Sequence, residues 1–97
     1  MKTEPMVLHR AVRKFGIGRT CVGYRYLICA LELVLADPSR LELVTKRLYP
    51  EVARRFAVTP GGVDKALRTA AGRAEAASVT ELLAALYRMV NENQLPL

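Results

Sequence analysis

The sequence predicts an all-α fold: a compact five- to six-helix bundle containing a helix-turn-helix, formed by residues 1–97 as a single domain. Three observations predict it. Apolar residues recur at helical spacing in segment after segment. Pro, Gly, Ser and Thr stand where helices start and stop. Hydrophobic residues make up 52% of the 97-residue chain, while aromatics are 6% and Trp is absent. A core built from Leu, Val and Ala favours helices over sheets, and a chain of this length can bury one without a metal or disulfide.

The first helix is expected over Glu4–Phe15, with Val7, Leu8, Ala11, Val12 and Phe15 on one stripe. Arg10, Arg13 and Lys14 lie on the other side and are read as a solvated face, with His9 as a surface residue. Gly16 and Gly18 end it. The second helix is expected over Thr20–Ala36, capped by Thr20 and apolar nearly all round through Leu27, Ala30, Leu31, Val34 and Leu35. That pattern makes it the central helix of the core. Cys21 and Cys29 are two turns, ~12 Å, apart on it, too far for an internal disulfide, and read as small buried hydrophobes. Asp37-Pro38-Ser39 breaks the chain, and Ser39 with Glu42 forms a capping box for a third helix. Leu41, Val44, Leu48 and Thr45 are its inward positions.

Tyr49-Pro50 interrupts that helix, because a residue before proline is pushed away from helical geometry. A short helix then covers Pro50–Phe56. Ala57-Val58-Thr59 is a turn, with Val58 plugging it into the core and Thr59 capping the next helix, Pro60–Ala74. Val63, Ala66, Leu67, Ala70 and Ala74 face inward, and Gly72 weakens the helix enough to bend or shorten it. A last helix over Ser78–Glu92 buries Val79, Leu82, Leu83, Leu86 and Val90, and the NQLPL tail frays. Tyr24, Tyr26 and Tyr49 are read as core aromatics with hydroxyls reaching a partner.

Lys and Arg total 15 against 9 acidic residues, a formal charge of +6. Such a balance serves solubility, and it is also the footprint of a phosphate-rich partner. The segment from Tyr49 to Ala74 decides for the second use. Ala53 and Ala66 are small enough for two steeply crossing helices joined by a short turn, and Ala57 stands where many such turns use glycine. The second helix of the pair then turns Gly61, Gly62, Asp64, Lys65, Arg68, Thr69 and Gly72 outward. Asp64, Lys65 and Arg68 are the candidate base-contacting residues of double-stranded DNA: the cations can donate to guanine and the carboxylate can accept from cytosine. Lys46, Arg47, Arg54, Arg55, Thr59, Gly61, Gly62, Thr69 and Arg73 are the candidate contacts to the DNA backbone. The glycines allow close approach and leave N–H groups free for phosphate. Scaffolding and solvated surface charge are the plainer alternatives for these same residues.

The residues resemble the C-terminal DNA-binding effector domain of the stage-zero sporulation protein A family, the sporulation response regulators. The likeness begins at Leu8-His9 and the GIGRTCVGYRYL segment, with Gly23-Tyr24, Tyr26 and Leu27. It is most specific at VTKRLYPEVARRF, residues 44–56, and continues through Thr59 and VDKALRTA, so that it covers about Val7 to Ala74. The resemblance implies a helical bundle that binds short boxes as tandem dimers and regulates transcription, with Asp64, Lys65, Arg68 and Thr69 on the recognition helix. Three departures stand out. These residues include no receiver domain, so control would come from elsewhere. Gly62 stands where the family usually has an arginine, which removes a base-reading side chain. The chain from 75 to 97 diverges and is short where the family touches the sigma subunit, which puts a contact with RNA polymerase in doubt.

The expected function is therefore a DNA-binding transcription regulator in the bacterial cytoplasm, at the nucleoid, with a homodimer on tandem sites. The alternative is a protein-interaction module that dimerises with or competes against a full-length relative through Leu82, Leu86 and Val90. No carboxylate pair, nucleophile–base pair or metal-ligand spacing points to an enzyme or a cofactor. No apolar run is long enough to span a membrane, and no signal peptide is visible.

Overall fold

A computed structural model describes residues 5–92, without the side chain of Pro5. The expected start of the first helix at Glu4 and the NQLPL tail lie outside the described residues. Five α-helices form: α1 (Pro5–Lys14), α2 (Tyr24–Ala36), α3 (Tyr49–Phe56), α4 (Pro60–Arg73) and α5 (Val79–Asn91). A 3-10 turn, Pro38–Leu43, and a π turn, Val44–Leu48, link α2 to α3. The described residues contain no strand, so the all-helical bundle is as expected.

The centre is α2, which packs on α1, α4 and α5 and touches α3 as well. Leu27, Ala30, Leu31 and Val34 of α2 are fully enclosed, as its near-continuous apolar surface requires. Leu8, Ala11 and Val12 of α1 meet them from one side, Val52, Val63 and Leu67 from another, and Leu82, Leu83 and Leu86 of α5 from a third. Cys21 and Cys29 are both buried and free, in line with their reading as small hydrophobes. Leu82 and Leu86 lie inside this core and are not available as a contact surface for an interaction module, while Val90, the third residue of that face, is half-buried.

The start of α2 differs from the reading that capped it at Thr20. The helix begins at Tyr24, and Thr20 is an exposed residue of the preceding loop. Ile17 and Cys21 anchor that loop in the core. Gly23 stands so close to α4 that a Cβ there would fall 2.3 Å from the Ala66 carbonyl oxygen. Contact between the backbones of α2 and α4 therefore requires glycine at this point. His9 is also corrected. It is half-buried, and its Nδ1 lies 2.5 Å from the Tyr24 hydroxyl, so it joins α1 to α2 rather than standing on the surface.

After α2 the expected Ser39–Glu42 capping box does not form. Asp37 is the cap instead: its carboxylate accepts from the Ser39 N–H at 3.1 Å and from the Ser39 hydroxyl at 2.6 Å. Those two hydrogen bonds hold the Asp37 carboxyl below its ordinary range. Residues 38–48 are wound first too tightly and then too loosely for an α-helix, so Leu48 is buried, Leu41 and Val44 only partly so, and Thr45 is exposed. Arg40 closes the carboxyl end of α2 by donating to the Leu33 carbonyl at 2.7 Å. Tyr49 takes helical angles, φ −58° and ψ −43°, in spite of the proline that follows, so α3 begins one residue earlier than expected.

Candidate nucleic-acid interface

α3 and α4 are joined by the three residues Ala57–Thr59, and the pair makes the most extensive helix–helix contact in the molecule. The turn closes because Ala57 adopts the left-handed conformation, φ 54° and ψ 44°, while the Val58 N–H returns to the Ala53 carbonyl at 3.0 Å. Ala57 thus does the work of the glycine common at this position. Val58 does not plug the turn into the core as expected; it is 39% exposed, because the backbone hydrogen bond already fixes the turn. Thr59 caps α4 by accepting from the Gly62 N–H at 3.1 Å, and Pro60 fills the first turn where no N–H is needed. Past Gly72 the helix runs on unbroken to Arg73, and it ends only where Glu75 turns left-handed at φ 56°.

Val63, Ala66, Leu67, Ala70 and Ala71 bury one face of α4. Gly61, Gly62, Lys65, Arg68, Thr69, Gly72 and Arg73 are exposed on the rest, with Asp64 half-buried at the margin. The predicted outward face is therefore outward. Arg68 Nε lies 3.2 Å from Asp64 Oδ2, and the Arg68 side chain is 75% exposed. An ion pair so open to water holds the guanidinium loosely. Lys65 and Arg73 form no ion pair among the described residues. Two expectations about free donors change. The Gly62 N–H is taken by Thr59 and that of Val63 by the Thr59 carbonyl at 3.1 Å, so the first turn offers Gly61 alone to an anion. The Thr69 hydroxyl turns back to the Lys65 carbonyl at 3.2 Å, so it is engaged within the helix.

The flanking cations divide. Arg54 is exposed and paired to Glu51 at 3.0 Å. Arg47 reaches Asp37 at 3.7 Å, and Lys46 is exposed beside it. Arg55 instead reaches back to the Cys29 thiol of α2. Burial pushes that thiol up, and Arg55 partly offsets the shift.

Tyr49, read only as a core aromatic, is tied to the outer face. Its ring is buried, and its hydroxyl is hydrogen bonded to Asp64. Burial first, then the neighbouring carboxylate, pushes the phenol up to about 12, with Arg68 pulling the other way. A chain of three groups therefore runs from the core to the solvent: Tyr49, Asp64, Arg68. The Asp64–Arg68 part was legible as an i, i+4 pair of opposite charge. The Tyr49 part was not, since it depends on how α3 and α4 cross. Tyr26 packs edge-on to Phe56 with ring centroids 5.0 Å apart, and Arg25 lies over the same Phe56 ring at 5.5 Å, so the end of α3 is fastened to the start of α2.

The fold and this face define an all-helical domain built round a helix-turn-helix with a cationic outer helix. Residues 8–96 match the family model described as sporulation initiation factor Spo0A C terminal, and the chain belongs to that family. It is a family of DNA-binding regulatory domains of sporulation, not of enzymes. The matched span passes beyond Ala74 and takes in α5. No solved structure matches the chain. No helix among the described residues is long and apolar enough to cross a membrane.

Proposed function

We propose that this domain is a sequence-selective transcription regulator that lays α4 in the major groove of double-stranded DNA. The observation that carries the reading is the exposed strip of α4 on which Lys65 and Arg68 stand clear of the core behind a first turn stripped of side chains by Gly61 and Gly62. Lys65 and Arg68 donate to base edges. Asp64, held by Tyr49, pairs loosely with Arg68 and can accept from a cytosine amino group. Lys46, Arg47, Arg54 and Arg73 hold phosphates, with the Gly61 N–H as a further donor and Arg55 adding charge at longer range. Thr59 and Gly62 shape the close approach of the helix start, and the exposed Thr69, its hydroxyl engaged by the Lys65 carbonyl, offers its methyl to a thymine methyl. The protein works in the bacterial cytoplasm at the nucleoid, as a homodimer on tandem sites.

Titrating a fluorescent duplex bearing a family-type box tests this. A module making ~4–6 phosphate contacts gives a log–log salt slope of about −4 to −5. Lys65→Ala with Arg68→Ala is expected to reduce discrimination between the box and a scrambled duplex by tenfold or more, at about 1–3 kcal/mol per base contact. Unchanged affinity and unchanged preference would remove those two residues from the interface.

A further inference from the structure

Between Pro5 and Gly23 the chain carries Arg10, Arg13, Lys14 and Arg19 and no acidic residue. These residues lie outside the helix-turn-helix. Arg10, Arg13 and Arg19, with Met6 and His9, line an open groove of about 630 Å³ between α1 and the loop that follows it. His9 contributes to the groove from the α1 side, tied to the Tyr24 hydroxyl. None of the lining residues is acidic. Arg47, Arg54 and Arg68 are each in an ion pair, whereas Arg13 and Arg19 are in none among the described residues.

The loop that supplies Arg19 lies along α4. At one end of it, a Cβ on Gly16 would face the Arg73 carbonyl oxygen at 3.9 Å, and at the other, a Cβ on Gly23 would strike the Ala66 carbonyl at 2.3 Å. Arg19 stands midway in sequence between these two glycines, and its side chain is exposed. When a helix occupies a major groove, the elements beside it face the sugar–phosphate rail that borders the groove. Arginines present planar forks suited to phosphate oxygens.

We propose that this groove is a second phosphate-binding strip, which takes the DNA backbone flanking the site read by α4, with Arg13 and Arg19 as contacts and Arg10 alongside them. The proposal rests on the reading of α4 as the helix in the major groove. It adds a flank of the duplex to the footprint, and it binds that flank without regard to sequence.

The test is fluorescence anisotropy of the domain on a long duplex, on the same duplex trimmed to its central box, and on a scrambled duplex. Wild type is compared with Arg13→Ala/Arg19→Ala, whose melting temperature is measured alongside. Both residues are exposed, so the variant is expected to fold as wild type does. Losing two phosphate contacts should flatten the salt slope by about 2, so that raising salt from about 50 to 200 mM weakens the variant roughly tenfold less than wild type. The loss should be equal on boxed and scrambled long duplexes and should shrink on the trimmed one. Wild-type binding with an unchanged slope in the variant overturns the proposal. So does a loss confined to the boxed sequence, or a loss of self-association with DNA affinity intact, which would give the face to a second copy. If wild type binds no duplex at all, the reading of α4 falls first and this strip with it.

Discussion

At the scale of single residues, the outer face of α4 is governed by a side chain beneath it. Tyr49 is buried, donates to Asp64, and through Asp64 meets Arg68. In the folded protein the phenol is pushed up to about 12, above the ~10 of an unfolded tyrosine. A folded-state pKa raised in this way gives stability that is full below pH ~10 and is lost as pH rises from there toward 12. Tyr49→Phe should therefore cost about 1 kcal/mol at neutral pH through the lost hydrogen bond, and should flatten the alkaline limb of the stability curve. Chemical denaturation of both proteins at neutral pH and at pH values above 10 checks this, and parallel alkaline limbs would contradict it. The sequence disclosed the cations of this face, because their helical spacing separates them from the apolar stripe. It did not disclose that Asp64 is held from below, since Tyr49 and Asp64 meet only once α3 has turned back on α4.

At the scale of elements, legibility follows how local the cause is. The start of α4 at Thr59-Pro60 was readable, because a cap and the amide it binds lie within three residues, and the sequence offered Ser78 or Thr80 for α5, of which the structure uses Ser78. The left-handed turn residue Ala57 was readable from its place between two apolar stripes. The start of α2 was not. Thr20 is a good cap in isolation, but burial of Ile17 and Cys21 and the close approach of Gly23 to Ala66 hold residues 17–23 in a loop. The segment from 38 to 48 misled for a similar reason. Asp37 outcompetes Ser39 as cap, and the chain must cross from the end of α2 to the start of α3 in a path that no single helical winding follows.

The glycines of these elements give opposed predictions. Gly23→Ala places a Cβ against backbone and should destabilise by the upper end of the ~1–3 kcal/mol seen for overpacking, or more. Gly72→Ala meets open space in the last turn of α4 and should stabilise by up to about 1 kcal/mol. Melting temperatures that move in opposite directions are expected, and a tolerated Gly23→Ala would show that α2 and α4 can part without penalty.

At the scale of the whole molecule, the bundle fixes where a chain of formal charge +6 places its cations. The first turn of α4 carries Gly61 and Gly62, which add no side chains to it. The exposed strip of α4 carries Lys65 and Arg68, and further arginines lie on α1 and the loop beside it. The core below is continuous from α1 to α5, so these groups are held in one frame. The buried stripe of α5 was legible from its spacing at Val79, Leu82, Leu83 and Leu86, though the same stripe would also fit an interface. Only the packing of α1 and α2 against it decides the matter.

The reading of DNA by α4 is tested most directly by selecting bound sequences from a random duplex pool, with wild type and with Lys65→Ala/Arg68→Ala in parallel. A short box enriched by wild type, and degenerate in the variant at the positions facing those two residues, is the expected result. Enrichment of the same box by both proteins, or of no box by wild type, would contradict it.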